Sequence, residues 1–187
     1  MKNRSRMIQV SLACTVLMFL ITVLTVYAAD PYWMGHLWDA GYAKYKISSS
    51  VPGQYHNDIE NAAAKWSAPS PFYFQKTTQE PLYVGGHLTF GDPPWWAIAY
   101  TDVWYWGSDK MRYFVVTFDA DLPQGWTDAP CWQGWVSELR VFPVALHELG
   151  HALDFISVTD TNTVMYTQYR CYTGLYQRDR NAVDDLY

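Results

Sequence analysis

Three residues in the last quarter of the chain have the types and spacing for metal chemistry: His147, Glu148 and His151. Residues four apart on a helix project from one face at adjacent turns, so both imidazoles can bind one tetrahedral ion, for which zinc is the default. Glu148 stands on the next flank, where a carboxylate can take a proton from a metal-bound water and hand it to a leaving amine. A metal lowers the pKa of that water toward about 7, so the chemistry would be hydrolysis at neutral pH. The same three residues could lie idle on a solvated helix face. Their neighbours argue against that, because Val141, Phe142, Val144, Ala145, Leu146, Leu149, Ala152 and Leu153 are apolar. A helix so flanked is largely buried, and buried polar groups require partners.

The elements that must position this motif follow from periodicity and punctuation. A helix from about Val136 to Phe155 is expected to carry it, entered through a loop-like stretch from Asp119 to Gln133 rich in proline and glycine. Upstream, Lys44 to Ser50 alternates as a strand and Pro52-Gly53 ends it. Ile59, Ala62, Ala63 and Trp66 then fall at i, i+3, i+4 and i+7, which predicts an amphipathic helix over about Tyr55 to Trp66. Short strands are expected at Phe72 to Lys76, His87 to Phe90 and Ile98 to Val103, with a longer one at Met111 to Phe118, rich in Tyr, Phe, Val and Thr. Gln177 to Leu186 closes the chain as a helix, and the residues from Asp30 to Ala43 read as an irregular arm.

The amino terminus carries Lys2, Arg4 and Arg6, an apolar run from Met7 to Val26 and small residues at Ala28 and Ala29. That order predicts a signal peptide over residues 1–28, hence a secreted, extracellular protein. A membrane enters only if the leader stays uncleaved as an anchor. Residues 29–187 have the length of one domain. Lys and Arg number 13 against 18 Asp and Glu, with three of the basic residues in the leader, which excludes nucleic acid as a partner. Cys14 goes with the leader, leaving Cys131 and Cys171 as an even pair in an oxidising compartment and a disulfide as their natural fate. Ten Trp and fifteen Tyr make the chain unusually aromatic, as core filling or as a surface for sugar or peptide.

The stretch His-Glu-Leu-Gly-His-Ala-Leu at 147 to 153, followed by Thr159-Asp160 and Val164-Met165-Tyr166, resembles the active-site segment of the matrixins, metzincin peptidases that include the matrix metalloproteinases. Ala-Lys-Trp-Ser (64 to 67), Phe-Tyr-Phe (72 to 74) and the closing segment from Gln177 to Tyr187 are similar to other parts of that family. The resemblance implies an α+β metzincin-like zincin fold, a twisted and mostly parallel sheet over long helices, with Met165 in the Met-turn beneath a zinc ion. It assigns Tyr166 to the wall of the pocket receiving the side chain after the scissile bond, and it implies a monomeric endopeptidase acting on polypeptide. The pattern breaks at two places. Matrixins carry glycine seven residues after the first histidine and a third histidine ten residues after it, whereas this chain has Asp154 and Ser157. Asp160 and Asp154 are the carboxylates near enough to substitute as the third metal ligand, and Ser157 is the weaker candidate because a hydroxyl is a poor zinc ligand. His36, His56 and His87 are isolated histidines of the kind more often found in surfaces or cores. The rival expectation is a binding module descended from such an enzyme, its metal lost through the change at Ser157.

Overall fold

The computed structural model describes residues 33–68, 71–122, 124–131 and 138–187; the expected leader lies outside the described residues. Strands β1 (Tyr42–Ile47), β2 (Tyr73–Lys76), β3 (Gly85–Gly91), β4 (Ala99–Trp106) and β5 (Lys110–Asp119) form one sheet in the order β2-β1-β3-β5-β4. The pairs β1–β2, β1–β3 and β3–β5 are parallel, and only the hairpin partner β4 runs antiparallel, at the sheet edge. A two-residue pair, β6 (Trp126–Thr127) with β7 (Leu139–Arg140), is also parallel. Among the described residues three α-helices pack with these strands: α1 (His56–Ser67), α2 (Val141–His151) and α3 (Gln177–Leu186). The α+β, mostly parallel architecture expected from the sequence is the one found. Among the described residues, no helix is long and apolar enough to cross a membrane.

Alternation along the strands builds the core. Phe114, Val116 and Phe118 of β5 are fully buried and meet Ala43, Tyr45, Phe74 and Leu88 from the neighbouring strands on one face of the sheet. Helix α1 presents Ile59, Ala62, Ala63 and Trp66 to this core, the stripe that its spacing predicts. The Trp66 indole N–H, which cannot be left unpaired in such a place, donates to the Leu146 carbonyl of α2 at 2.8 Å. The end of α1 is tied to β2 through Ser67, whose hydroxyl donates to the Ala63 carbonyl and accepts the Phe74 N–H.

The motif helix is shorter than the sequence suggests. It begins at Val141, because Leu139–Arg140 is extended and pairs with Trp126–Thr127, a distant partner that local periodicity cannot reveal. Residues 136–137 lie outside the described residues. At its other end α2 stops at His151. Leu153 and Phe155 both direct their N–H groups to the Gly150 carbonyl, and Asp154 takes a left-handed backbone with φ of 70°. Gly150 itself is required by packing. A Cβ there would fall 2.3 Å from Met165 Sδ and 3.0 Å from the Trp66 ring, so only a bare backbone lets the methionine seat beneath the helix.

Candidate metal centre

His147 and His151 project from one face of α2, their rings 4.9 Å apart between centroids and nearly perpendicular. Each ring is fixed by its Nδ1. His147 Nδ1 lies 2.7 Å from the Val164 carbonyl and His151 Nδ1 lies 2.6 Å from the Phe155 carbonyl. A carbonyl only accepts, so both Nδ1 atoms carry the proton and both Nε2 atoms keep a free lone pair. This is the arrangement in which imidazoles act as metal ligands with their tautomer set from behind. Burial, and then the neighbouring His151, pull the His147 pKa below its ordinary value, so the ring is neutral and able to donate at neutral pH.

Ser157 completes the convergence. Its Oγ lies 3.4 Å from His147 Nε2 and 3.3 Å from His151 Nε2, so the hydroxyl and the two lone pairs face one small space. The carboxylates expected to compete for this position are engaged elsewhere. Asp160, expected as the third ligand, pairs with Arg178 and accepts the Asn162 N–H, so it holds the turn before Met165 instead of meeting the histidines. The Asp154 carboxylate, fully buried, accepts from the His36 N–H at 2.9 Å, lies 2.8 Å from His36 Nδ1 and accepts from the Tyr105 hydroxyl at 2.8 Å. Its partners are thus the amino-terminal arm and β4. Among the described residues, no third histidine, cysteine or carboxylate joins the pair. The donor set fits zinc with two strong ligands and one weak one.

Glu148 is buried at the cleft wall, where the Thr101 hydroxyl of β4 donates to its Oε2 at 2.6 Å. That bond ties the carboxylate to the edge strand of the sheet. Below, Met165 is fully buried, and its N–H donates to Thr163 Oγ1 at 3.0 Å. Thr163 and the Val164 and Tyr176 N–H groups all bond the buried Asp179, whose pKa burial raises. A carboxylate from α3 therefore organises the turn that carries both Met165 and the carbonyl orienting His147.

The cleft, about 750 Å³, runs between β4 and α2 and includes His147, Glu148, His151, Ser157 and Tyr166. Arg170 stacks over the Tyr166 ring at 4.6 Å. Cys131 and Cys171 are joined by a disulfide with Cα atoms 5.5 Å apart. The remaining histidines have local duties: His56 meets the Val51 carbonyl and His87 the Tyr113 hydroxyl. Sequence reasoning missed Thr101 and the partners of Asp154, because a threonine in an aromatic strand and a histidine in an irregular arm carry no local signal of either role.

A family model described as matrixin matches residues 37–187. Interstitial collagenase A of Mus musculus is 27% identical over 175 residues, covering 84% of this chain and 35% of the relative. Interstitial collagenase of Sus scrofa is 25% identical over 171 residues, covering 80% of this chain and 32% of its own length. The chain thus spans about a third of the length of these curated relatives.

Proposed function

The chain belongs to the matrixin family, and from that premise we propose that it is a secreted zinc-dependent endopeptidase, released from a leader over residues 1–28, with His147, His151 and Ser157 holding the metal and Glu148 as general base. The observation that carries this reading is the convergence of two Nε2 lone pairs and one hydroxyl beside a buried carboxylate. Zinc, when bound, supplies Lewis acidity and a water acidic enough to ionise near neutral pH. Thr101 ties up Oε2 of Glu148, which leaves Oε1 to accept a proton and return it to the leaving amine. Strand β4 is a sheet edge beside the motif helix, so an extended polypeptide can lie against it through main-chain hydrogen bonds. Tyr166 stands where a substrate side chain would enter the cleft.

The test is metal content and turnover together. Purified protein should carry about one zinc per chain, removable by chelators along with proteolysis. Glu148→Gln should keep the metal and lose roughly 10²- to 10⁴-fold in kcat, because shape is preserved while the base is removed. Equal activity in that variant, or proteolysis by a metal-free preparation, would sink the mechanism. The hydroxyl at 157 favours one second reading, a family member whose weakened metal site serves binding alone. Zinc-loaded protein that cleaves no peptide would support it.

A further inference from the structure

The amino-terminal arm, irregular by its sequence, lies along the segment that follows α2. The Met34 N–H donates to the Asp154 carbonyl at 3.1 Å, the Trp38 indole N–H donates to the Ala152 carbonyl at 2.9 Å, and Trp33 forms a β-bridge with Phe155. The buried Asp154 carboxylate is gripped from two sides. Its Oδ2 accepts the His36 N–H at 2.9 Å and faces His36 Nδ1 at 2.8 Å, while its Oδ1 accepts the Tyr105 hydroxyl at 2.8 Å. Tyr105 stands opposite the buried Met111 in the β4–β5 register, which turns it to the helix side of the sheet. Burial, and then the Asp154 carboxylate, raise the Tyr105 pKa, so the hydroxyl keeps its proton and donates. The rings of His36 and Tyr105 also lie against each other, with centroids 4.0 Å apart.

A left-handed backbone at a residue with a Cβ persists only where its surroundings over-determine it, and at Asp154 they do. The turn made there leads directly into the paired imidazoles. Phe155 offers the carbonyl that keeps the His151 proton on Nδ1, and Ser157 brings its hydroxyl to both Nε2 atoms. His147 is fixed separately, by the Val164 carbonyl of the turn that Asp179 organises.

Resting on the metallopeptidase reading only for what the imidazoles bind, we infer that His36 and Tyr105 are positioning residues for the imidazole pair. Through Asp154 they hold the turn that sets the tautomer of His151 and presents Ser157. Both act at one remove, since their bonds end on the Asp154 carboxylate.

The first readout needs no metal. Heteronuclear NMR of the ring nitrogens in the chelated protein, at about pH 8 and so above the ordinary histidine range, reports the tautomers of His147 and His151. In the wild type both rings should carry the proton on Nδ1. His36→Gln moves the donor away from Asp154 Oδ2. It should release His151 into a mixture of tautomers while His147 keeps its own, whereas a general loosening of the fold would alter both. His36→Asn, whose amide nitrogen can stand where Nδ1 stood, should restore the wild-type pattern. If His36→Gln lacks the wild-type circular dichroism spectrum, Tyr105→Phe takes its place with the same expected pattern. An unchanged His151 in a folded variant, or a His147 that changes alongside it, would overturn the assignment. Competition for zinc with a chromophoric chelator gives the second readout. His36→Gln should bind zinc about tenfold more weakly, the loss seen when a group that orients a ligand is removed, and His36→Asn should regain most of it. Zinc binding of equal strength in His36→Gln and the wild type would also overturn the assignment. A wild type that binds no zinc while the tautomers follow the expected pattern would end the metallopeptidase reading and leave the positioning assignment standing.

Discussion

A hydroxyl is a weak partner for two imidazoles. Ser157 Oγ reaches both Nε2 atoms, but an un-ionised alcohol gives zinc far less than a third nitrogen would. Ser157→His should therefore tighten zinc binding by at least about tenfold, measured by competition with a chromophoric chelator. Unchanged affinity would mean that another donor already completes the set. Which residue meets the pair could not be read from the sequence, for a reason that lies in one backbone angle. Had the helix continued, Asp154 would have stood on the face of His147 and His151, nearly two turns from His147. Its φ of 70° reverses the chain, sends its carboxylate to His36 and Tyr105, and brings Ser157 round in its stead. Aspartate is among the few side chains that tolerate that conformation, so a glycine is not needed there. The pair His147 and His151 with Glu148, by contrast, was legible, because four-residue spacing on a helix fixes their relation whatever surrounds them.

Helix α2 depends on its neighbours at both ends. No side chain of its own caps its amino terminus; instead the Asp58 carboxylate of α1 accepts the Phe142 N–H. Burial, and then the nearby Asp128, raise the Asp58 pKa to about 6, with that N–H pulling it back in part. A carboxyl with a folded pKa above its unfolded value binds more protons when native, so its contribution to stability is present at low pH and fades as pH rises through about 6. Asp58→Asn keeps an acceptor for Phe142 without the charge. It should raise the melting temperature at pH 7, with the advantage vanishing near pH 4, and a pH-independent difference would reject the argument. Deeper in the helix, Gly150→Ala forces Met165 and Trp66 apart and should cost about 1–3 kcal/mol, read by urea unfolding. The stripe of α1 and the alternation of β5 were readable because each element's period survives in the folded state. The true start of α2 was not, because Arg140 is held extended by Thr127, thirteen positions earlier in the chain.

Across the molecule, the bond between Cys131 and Cys171 joins the approach to α2 with the segment that bears Tyr172. It closes a loop of 40 residues, for which the chain-entropy relation gives about 4 kcal/mol as an upper figure. Replacing both cysteines by serine should lower the melting temperature by on the order of 10 °C, measured calorimetrically, and, on the proposed function, leave zinc affinity unchanged, since the sulfurs' contacts are with Tyr172 and Arg140 and not with the histidines. A melting point unchanged by the double substitution would show that packing alone holds the two segments together. The even cysteine pair was enough to foresee the bond, and the run of strands and helices was enough to foresee the α+β class. Neither could give the sheet order, because parallel neighbours are chosen by what packs across the chain.

That sheet order also bears on how the chain reaches its native state. Parallel partners cannot be joined by a tight turn, and here Lys44 must find Gly85, and Gly85 must find Tyr113, across intervals already occupied by other elements. Among the described strands, only β4 and β5 meet through a short reversal, where Gly107 adopts a φ of 71°. The hairpin can thus close in microseconds, while the central strands wait for long loops to be brought together at an entropic cost, the pattern of slow folders. Until they do, the aromatic rows of β4 and β5 are assembled without their apolar backing. The edge that would receive substrate in the finished protein is also the first surface on which two unfinished copies could stick.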